Sequence, residues 1–362
     1  MGKRSQLFKE LFRARKNHSE LSSRVYYQQL FKYLWCIFKY PEQKESWIHP
    51  EVFAGTNLKI QSDQIKIVDD TRDPVLIVVV KDDYERMKNF FQHYRKIGIH
   101  QFIIIDNDSV DGTREYCMEQ KDARVYSVYE EYSTERKEAW VERVICMTGL
   151  NRWYLIVDSD ELLDYIGSER YKVQQMIQAA EKIGVRKIKG LLLDMYSKQP
   201  LFSEHADVDT IEKAYPYFDK EGYQQYMVRK GIARVFFGGP RKRVYGTKDH
   251  MSKFPIVYYD HRTLLFTAHI CLRIGEKSEE RLWCVMRHYK FLNSDLERYI
   301  HRVEKRNFGN QSMYYFRILE RYWKDTEKSF WYEKSVLYEN STSLYGLPLE
   351  EWESYRSEDS VV

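Results

Sequence analysis

The chain has 362 residues, of which 43% are hydrophobic and 31% charged, and its net charge is +4. That length allows two or three domains, or one large domain with extensions, and the composition is that of a globular chain rather than a disordered or collagen-like one. The charge gives no argument for nucleic-acid binding, no run of about 18 apolar residues offers a membrane span, and five cysteines without CxxC spacing suit neither a disulfide framework nor a zinc site. Reduced thiols point to the cytoplasm.

Residues 1–40 carry nine basic side chains against two acidic ones, a net charge of +7, which leaves −3 for the rest. Leu7, Phe8, Leu11 and Phe12, then Tyr26, Leu30, Tyr33, Leu34 and Ile37, recur at helical spacing. Two readings are compatible with this pattern. The segment lies peripherally on an anionic membrane on its cytoplasmic side, or it packs its apolar face on the main domain.

After Pro74 the pattern changes. Val75 to Val80 is a short, continuous β-branched run, as expected of a strand buried on both faces of a parallel sheet. A helix is expected over 84–97, stopped by Gly98. Strands follow at 102–105, 124–129 and 153–157, with helices at about 113–120 and 134–149 between them. Strands alternating with helices from 75 to 160 predict βαβ units, whose ligands bind at the carboxyl ends of the strands. From 185 to 270 the pattern is more β-like, and 277–335 reads as mostly helical. The expected organisation is a basic helical extension (1–70), an α/β domain (71–275, with halves 74–165 and 185–275) and a helical C-terminal region (276–362).

Polar turns fall at the predicted strand ends. Lys81-Asp82-Asp83 follows the first strand, and Asp106-Asn107-Asp108 the second. Asp158-Ser159-Asp160-Glu161 follows the fourth. On a strand, residues i and i+2 share a face, which would put the Asp158 and Asp160 carboxylates side by side. Like charges so close favour a hard cation such as Mg²⁺ or Mn²⁺, which commonly takes one or two carboxylates plus substrate phosphates. An N-cap role explains one such Asp but not two. Asp and Asn at 106–108 can accept from a nucleobase or hold a ribose, and an Asx-rich turn is the competing reading. Asp111 is a candidate helix cap.

The succession of these motifs, from Lys81-Asp82-Asp83 through Ile104-Ile105-Asp106-Asn107-Asp108-Ser109-Val110-Asp111-Gly112-Thr113 to Val157-Asp158-Ser159-Asp160-Glu161-Leu162, resembles the nucleotide-sugar-binding half of family 2 glycosyltransferases. It is most similar to the bacterial branch whose first strand ends in Lys-Asn-Glu, where Asp82 and Asp83 stand here. Asp194-Met195-Tyr196, Tyr217-Phe218-Asp219, Gly238-Gly239-Pro240-Arg241 and His288-Tyr289-Lys290-Phe291 also look like that branch. The resemblance covers roughly residues 74–305. It implies a GT-A fold, a Rossmann-like mixed and mainly parallel sheet flanked by helices, here with helical N- and C-terminal extensions.

The resemblance also implies roles. Lys81, Asp82, Asp83, Asp106, Asn107, Asp108 and Asp158 would bind the nucleotide sugar, with Arg241 on its diphosphate. Lys242 and Arg243 could join Arg241, although a solvated basic loop explains them equally. Asp158, Asp160 and His288 would hold Mn²⁺ or Mg²⁺, with His269 a weaker alternative to His288. The sugar would pass, with inversion, from a nucleoside-diphosphate donor to a glycan or lipid-linked acceptor in lipopolysaccharide or capsule assembly. Asp194 and Asp249 are the candidate general bases. Two other classes compete: a nucleotidylyltransferase, which wants a Gly-rich phosphate loop not found after the first strand, and a non-catalytic membrane-surface scaffold.

Overall fold

The computed structural model describes residues 27–28, 30–32, 34–35, 57–205, 209–228, 233–267, 269–274, 282–304 and 310–348. The protein is a mixed α/β fold whose strands are mainly parallel and flanked by helices. It divides into two compact units, each built from three stretches of chain.

The first unit takes residues up to 87, 99–159 and 254–279. Its strands are β1 (Lys59–Asp63), β2 (Val75–Val80), β3 (Phe102–Asp106), β4 (Ala123–Ser127), β5 (Arg152–Asp158) and most of β11 (Ser252–Tyr259), in the order β1-β4-β3-β2-β5-β11. The four in the middle are parallel, and β1 and β11 pair antiparallel at their flanks. A two-stranded ladder of β12 (Thr263–Thr267) and β13 (Ile270–Arg273) completes it. The expected strands at 75–80, 102–105, 124–129 and 153–157 are all present, within about two residues at each end.

β2 and β3, apolar except for Asp106 at the end of β3, are buried throughout save Val79, as strands covered on both faces must be. Helix α2 (Thr113–Met118) and helix α3 (Thr134–Thr148) follow β3 and β4. The Ser133 hydroxyl caps α3 by accepting from the Arg136 amide. Trp140 of α3, Ile77, Ile103, Ile105 and Tyr154 share one core cluster. Each fully buried apolar side chain there contributes about 1.5–3 kcal/mol.

The described part of the N-terminal segment, within residues 27–35, is helical and belongs to this unit. Leu30 and Lys32 are buried. The Lys32 ammonium donates to the Tyr259 hydroxyl at 3.0 Å and the Thr263 carbonyl at 2.7 Å, and lies 3.7 Å from Glu142. Burial lowers its pKa despite the Glu142 charge. For these residues the structure shows the packed arrangement, while Tyr27 and Phe31 point outward at 45% and 68% exposure. Residues 1–26, 29, 33 and 36–56, which hold the other basic positions and all the other apolar ones but Leu34, are outside the described residues. Among the described residues no helix is long and apolar enough to cross a membrane.

The second unit takes residues 88–98, 160–253 and 280 onward. Most of helix α1 (Tyr84–Lys96) belongs to it. Glu85 in its first turn and Arg95 and Lys96 in its last complement the helix dipole. It ends at Gly98, whose φ of +99° suits glycine; a Cβ there would stand 2.7 Å from the Gln174 side chain. Strands β6 (Glu161–Asp164), β7 (Lys187–Asp194) and β14 (Trp283–His288) run in the order β7-β14-β6. Helices α4 (Val173–Lys182), α5 (Ile211–Ala214), α6 (Gly239–Tyr245), α7 (Asn293–Glu304) and α8 (Asn310–Lys324) also lie here, with the ladders β8 (Tyr217–Phe218) to β15 (Val336–Leu337) and β9 (Gln224–Val228) to β10 (Ala233–Phe237).

β14 corrects the expectation that 277–335 is mostly helical. Trp283 to His288 is buried at every position and pairs with β7 on one side and β6 on the other. Its charged end disguised it in the sequence: Arg287 is buried against Asp164 at 2.9 Å, and His288 against Asp194 at 2.7 Å.

Candidate functional site

In the first unit, backbone register brings three strand ends level. Val80 pairs with Asp106 and Val79 with Asp158, so the turns after β2, β3 and β5 open at one edge. Asp106 is fully buried. Burial raises its pKa, opposed by bonds from Ser109 and the charge of Arg114, whose Nη1 lies 3.6 Å away. Asn107 ties the edge together. Its amide donates to the Val80 carbonyl at 2.8 Å, and its carboxamide donates to the Val128 carbonyl at 3.3 Å and the Glu130 carbonyl at 2.9 Å.

Asp82 and Asp108 both have left-handed backbones, with φ of +51° and +58°, a conformation that Asp tolerates better than most residues. Asp82 accepts from the Val110 amide at 2.8 Å, and Lys81 donates to the Asn107 carbonyl at 2.8 Å. Asp83 accepts from Ser159 at 2.7 Å and from Arg86 at 3.2 Å. Asp111 accepts from the Thr113 hydroxyl at 2.5 Å and from the Thr113 and Tyr84 amides at 2.9 and 3.0 Å; these bonds outweigh burial and lower its pKa. The carboxylates therefore build the turns themselves. Asp158, partly exposed, is bonded by Lys137 of α3.

β5 stops at Asp158, and residues 159–160 form a turn, so the i, i+2 rule for a strand does not extend to Asp160. Asp160 begins the second unit's cluster. Asp160, Glu161 and His288 each present a ligand atom, all within 4.8 Å of one another. His288 Nε2 lies 3.3 Å from Asp160 Oδ2, and Nδ1 lies 2.7 Å from Asp194 Oδ1. The sheet sets this arrangement, because His288 pairs with Asp194 of β7 and with Glu161 of β6. Burial would lower the imidazole pKa, but Asp160 and Asp194 outweigh it and raise it to about 9. Glu161 is neutralised by Lys253 at 2.5 Å.

Asp194 is wholly buried. Arg241 Nε donates to its Oδ2 at 2.7 Å and Nη2 to its Oδ1 at 3.1 Å, while His288 takes Oδ1 as well. Burial would raise its pKa, yet Arg241 and His288 hold it at about 2. A carboxylate so enclosed faces other side chains and not solvent. Asp249 lies 3.4 Å from Arg241 and accepts from the Thr247 hydroxyl at 2.5 Å, and it keeps some exposure. Arg241, expected on a diphosphate, is thus buried on Asp194. Arg243 is engaged by Asp219 at 2.9 Å, and Lys242 reaches Gln224 at 3.3 Å. His269, in the turn between β12 and β13, belongs to the first unit.

The sequence reading expected Asp158 and Asp160 side by side, whereas the structure has Lys81, Asp82, Asp83, Asp106, Asn107, Asp108 and Asp158 in one unit and Asp160, Asp194, Arg241, Asp249 and His288 in the other. It missed Lys137, Arg114 and Lys253, which neutralise Asp158, Asp106 and Glu161. Lys137 sits one turn into a helix, 21 residues from its partner, and no local pattern marks it.

No protein-family model and no curated protein matches the chain. Sixteen chains of solved structures do. One is the crystal structure of S. aureus TarS 1-349, at 14% identity and a TM-score of 0.28, covering 70% of this chain and 72% of that one.

Proposed function

We propose that the chain is a metal-dependent glycosyltransferase that moves a sugar, with inversion, from a nucleoside-diphosphate donor to a glycan or lipid-linked acceptor of cell-surface polysaccharide assembly. The observation that carries this reading is the levelling of three polar turns at the ends of the adjacent parallel strands β3, β2 and β5, where an open α/β sheet binds nucleotides. Asp106, Asn107 and Asp83, buried and bonded within the turns, set the shape of the place where base and ribose bind, and Lys81, Asp82 and Asp108 are the side chains that reach it. Asp158 meets the ribose, and Lys137 beside it supplies positive charge for the phosphates.

The donor set of the second unit fits one Mn²⁺ or Mg²⁺. Asp160 and His288 supply an oxygen and a nitrogen, and Glu161 is already balanced by Lys253, which leaves coordination positions for water and phosphate. A bound ion would offset charge growing on the departing nucleoside diphosphate. Of the two expected bases, Asp249 retains a solvent-facing carboxylate and takes the acceptor proton; Asp194 does not reach solvent. Attachment to an anionic membrane would have to use the face with Tyr27 and Phe31 and the basic residues of 1–26, because Leu30 and Lys32 are committed to the protein.

The test is thermal melting of the full chain with UDP, GDP and dTDP, with and without Mn²⁺, followed by a panel of nucleotide sugars assayed for released nucleoside diphosphate. Mn²⁺-dependent protection by one nucleotide, and turnover of its sugars, is expected. Protection by none would overturn the enzyme reading in favour of a scaffold.

A further inference from the structure

We infer that Asp194 and Arg241 are positioning residues that fix the ring and tautomer of His288. This rests on the proposed metal site and goes beyond it, since neither residue touches the ion or the substrate.

The geometry is a buried relay. Arg241 grips both oxygens of Asp194 through Nε and Nη2, a two-point contact that leaves the carboxylate little freedom to rotate. Asp249, 3.4 Å from Arg241 Nη1, and the Met251 sulfur Sδ, which accepts from Nη2 at 3.1 Å, hold the guanidinium from behind. The carboxylate held in this way can only accept, so His288 Nδ1, 2.7 Å away, must carry a proton. Nε2, 3.3 Å from Asp160, is then the nitrogen that gives up its proton when an ion binds. A carboxylate behind a ligating imidazole is a general device for setting tautomer and raising ligand basicity.

The fold supplies the components from far apart. β7 and β14 pair in parallel with Asp194 opposite His288, and α6 brings Arg241 across. A buried carboxylate and guanidinium are costly to desolvate and are weak evidence for stability, so a role in orienting His288 accounts for their retention better than a stabilising one does.

The experiment uses the full chain, its Asp194→Asn and Arg241→Lys variants, and ¹⁵N-histidine labelling, with the His288 resonance assigned from a His288→Gln sample. In the unsubstituted protein His288 should show a protonated Nδ1. Asp194→Asn should weaken Mn²⁺ binding, measured by calorimetry, by roughly 10- to 100-fold and should disturb the His288 nitrogen shifts. Arg241→Lys keeps the charge but not the fork, and should give a smaller loss in the same direction. Urea midpoints show that each variant is folded. If Asp194→Asn does not fold, Arg241→Lys and the unsubstituted spectrum decide.

Unchanged Mn²⁺ affinity and unchanged His288 shifts in folded variants would overturn the inference. So would a His288 in the unsubstituted protein protonated at Nε2 alone. A protein that binds no Mn²⁺ and no nucleotide defeats the proposed function instead, and the nitrogen shifts then still report whether Asp194 sets the tautomer.

Discussion

Replacing Lys32 with alanine should strip the N-terminal helix from the first unit. The substitution removes two hydrogen bonds, to the Tyr259 hydroxyl and the Thr263 carbonyl, each worth about 1 kcal/mol net. It also removes three buried methylenes at about 0.8 kcal/mol each. The total of about 4 kcal/mol falls within the range of about 3–5 kcal/mol for deleting one partner of a buried ion pair, here the one with Glu142 at 3.7 Å. The assay is urea denaturation of the full chain, followed by tryptophan fluorescence, which the buried Trp140 and Trp153 of the same unit report. The double variant Lys32→Met, Glu142→Gln keeps the volume and removes both charges, and should recover most of the loss. A loss below about 1 kcal/mol for Lys32→Ala would refute the reasoning, because it would mean that the helix is not docked in solution.

Three further outcomes follow from the geometry. Gly238→Ala should destabilise the second unit by about 2–4 kcal/mol in the same assay, because φ is +151° and the new Cβ would stand 2.5 Å from the Gly222 carbonyl oxygen. Stability should fall with acid in two stages. The unfolded state binds protons below about 6.5 at His93 and below about 3.8 at Asp194, whereas burial and the Arg287 charge hold the folded His93 down to about 3, and Arg241 and His288 hold the folded Asp194, against burial, down to about 2. Chemical denaturation across pH 7 to 2 should therefore show both declines, and His93→Gln should flatten the one between about 6.5 and 3. Asp160→Ala should abolish Mn²⁺-dependent turnover while leaving circular dichroism intact. The substitution costs His288 one of its two carboxylates, so a small loss of stability at neutral pH replaces the gain that carboxylate crowding alone would suggest.

The parts of the fold that were legible are those where local chemistry and tertiary environment agree. β2 and β3 read directly because a run such as Val75 to Val80 has nowhere stable to go except the centre of a sheet. The strand-end turns were legible for the same reason, since polar residues after a buried run must lie where the sheet meets solvent. β6 was not legible. Its four residues begin with Glu161 and end with Asp164, and their burial depends on Lys253, 92 residues away, and Arg287, 123 away. Asp194 was found as a strand-end carboxylate, but its part in the site depends on Arg241 and His288, 47 and 94 residues later. Spacing along the chain carries no trace of such pairings.

Each unit is assembled from three separated stretches, and this constrains the order in which the protein can be made. When the ribosome has delivered residue 250, the first unit still lacks β11 and the ladder that follows it, so Lys32 and Glu142 wait for Tyr259 and Thr263. The second lacks β14, and Asp194 has Arg241 but not yet His288. The first unit therefore closes only after translation has passed residue 273 and the second only after residue 288, and a nascent chain halted in the middle exposes β5 and β7 with unpaired edges. Long-range parallel pairing of this kind folds slowly and is prone to aggregation while incomplete. Yield of the recombinant protein should accordingly respond to slower synthesis or to chaperone supply more than to changes at its surface.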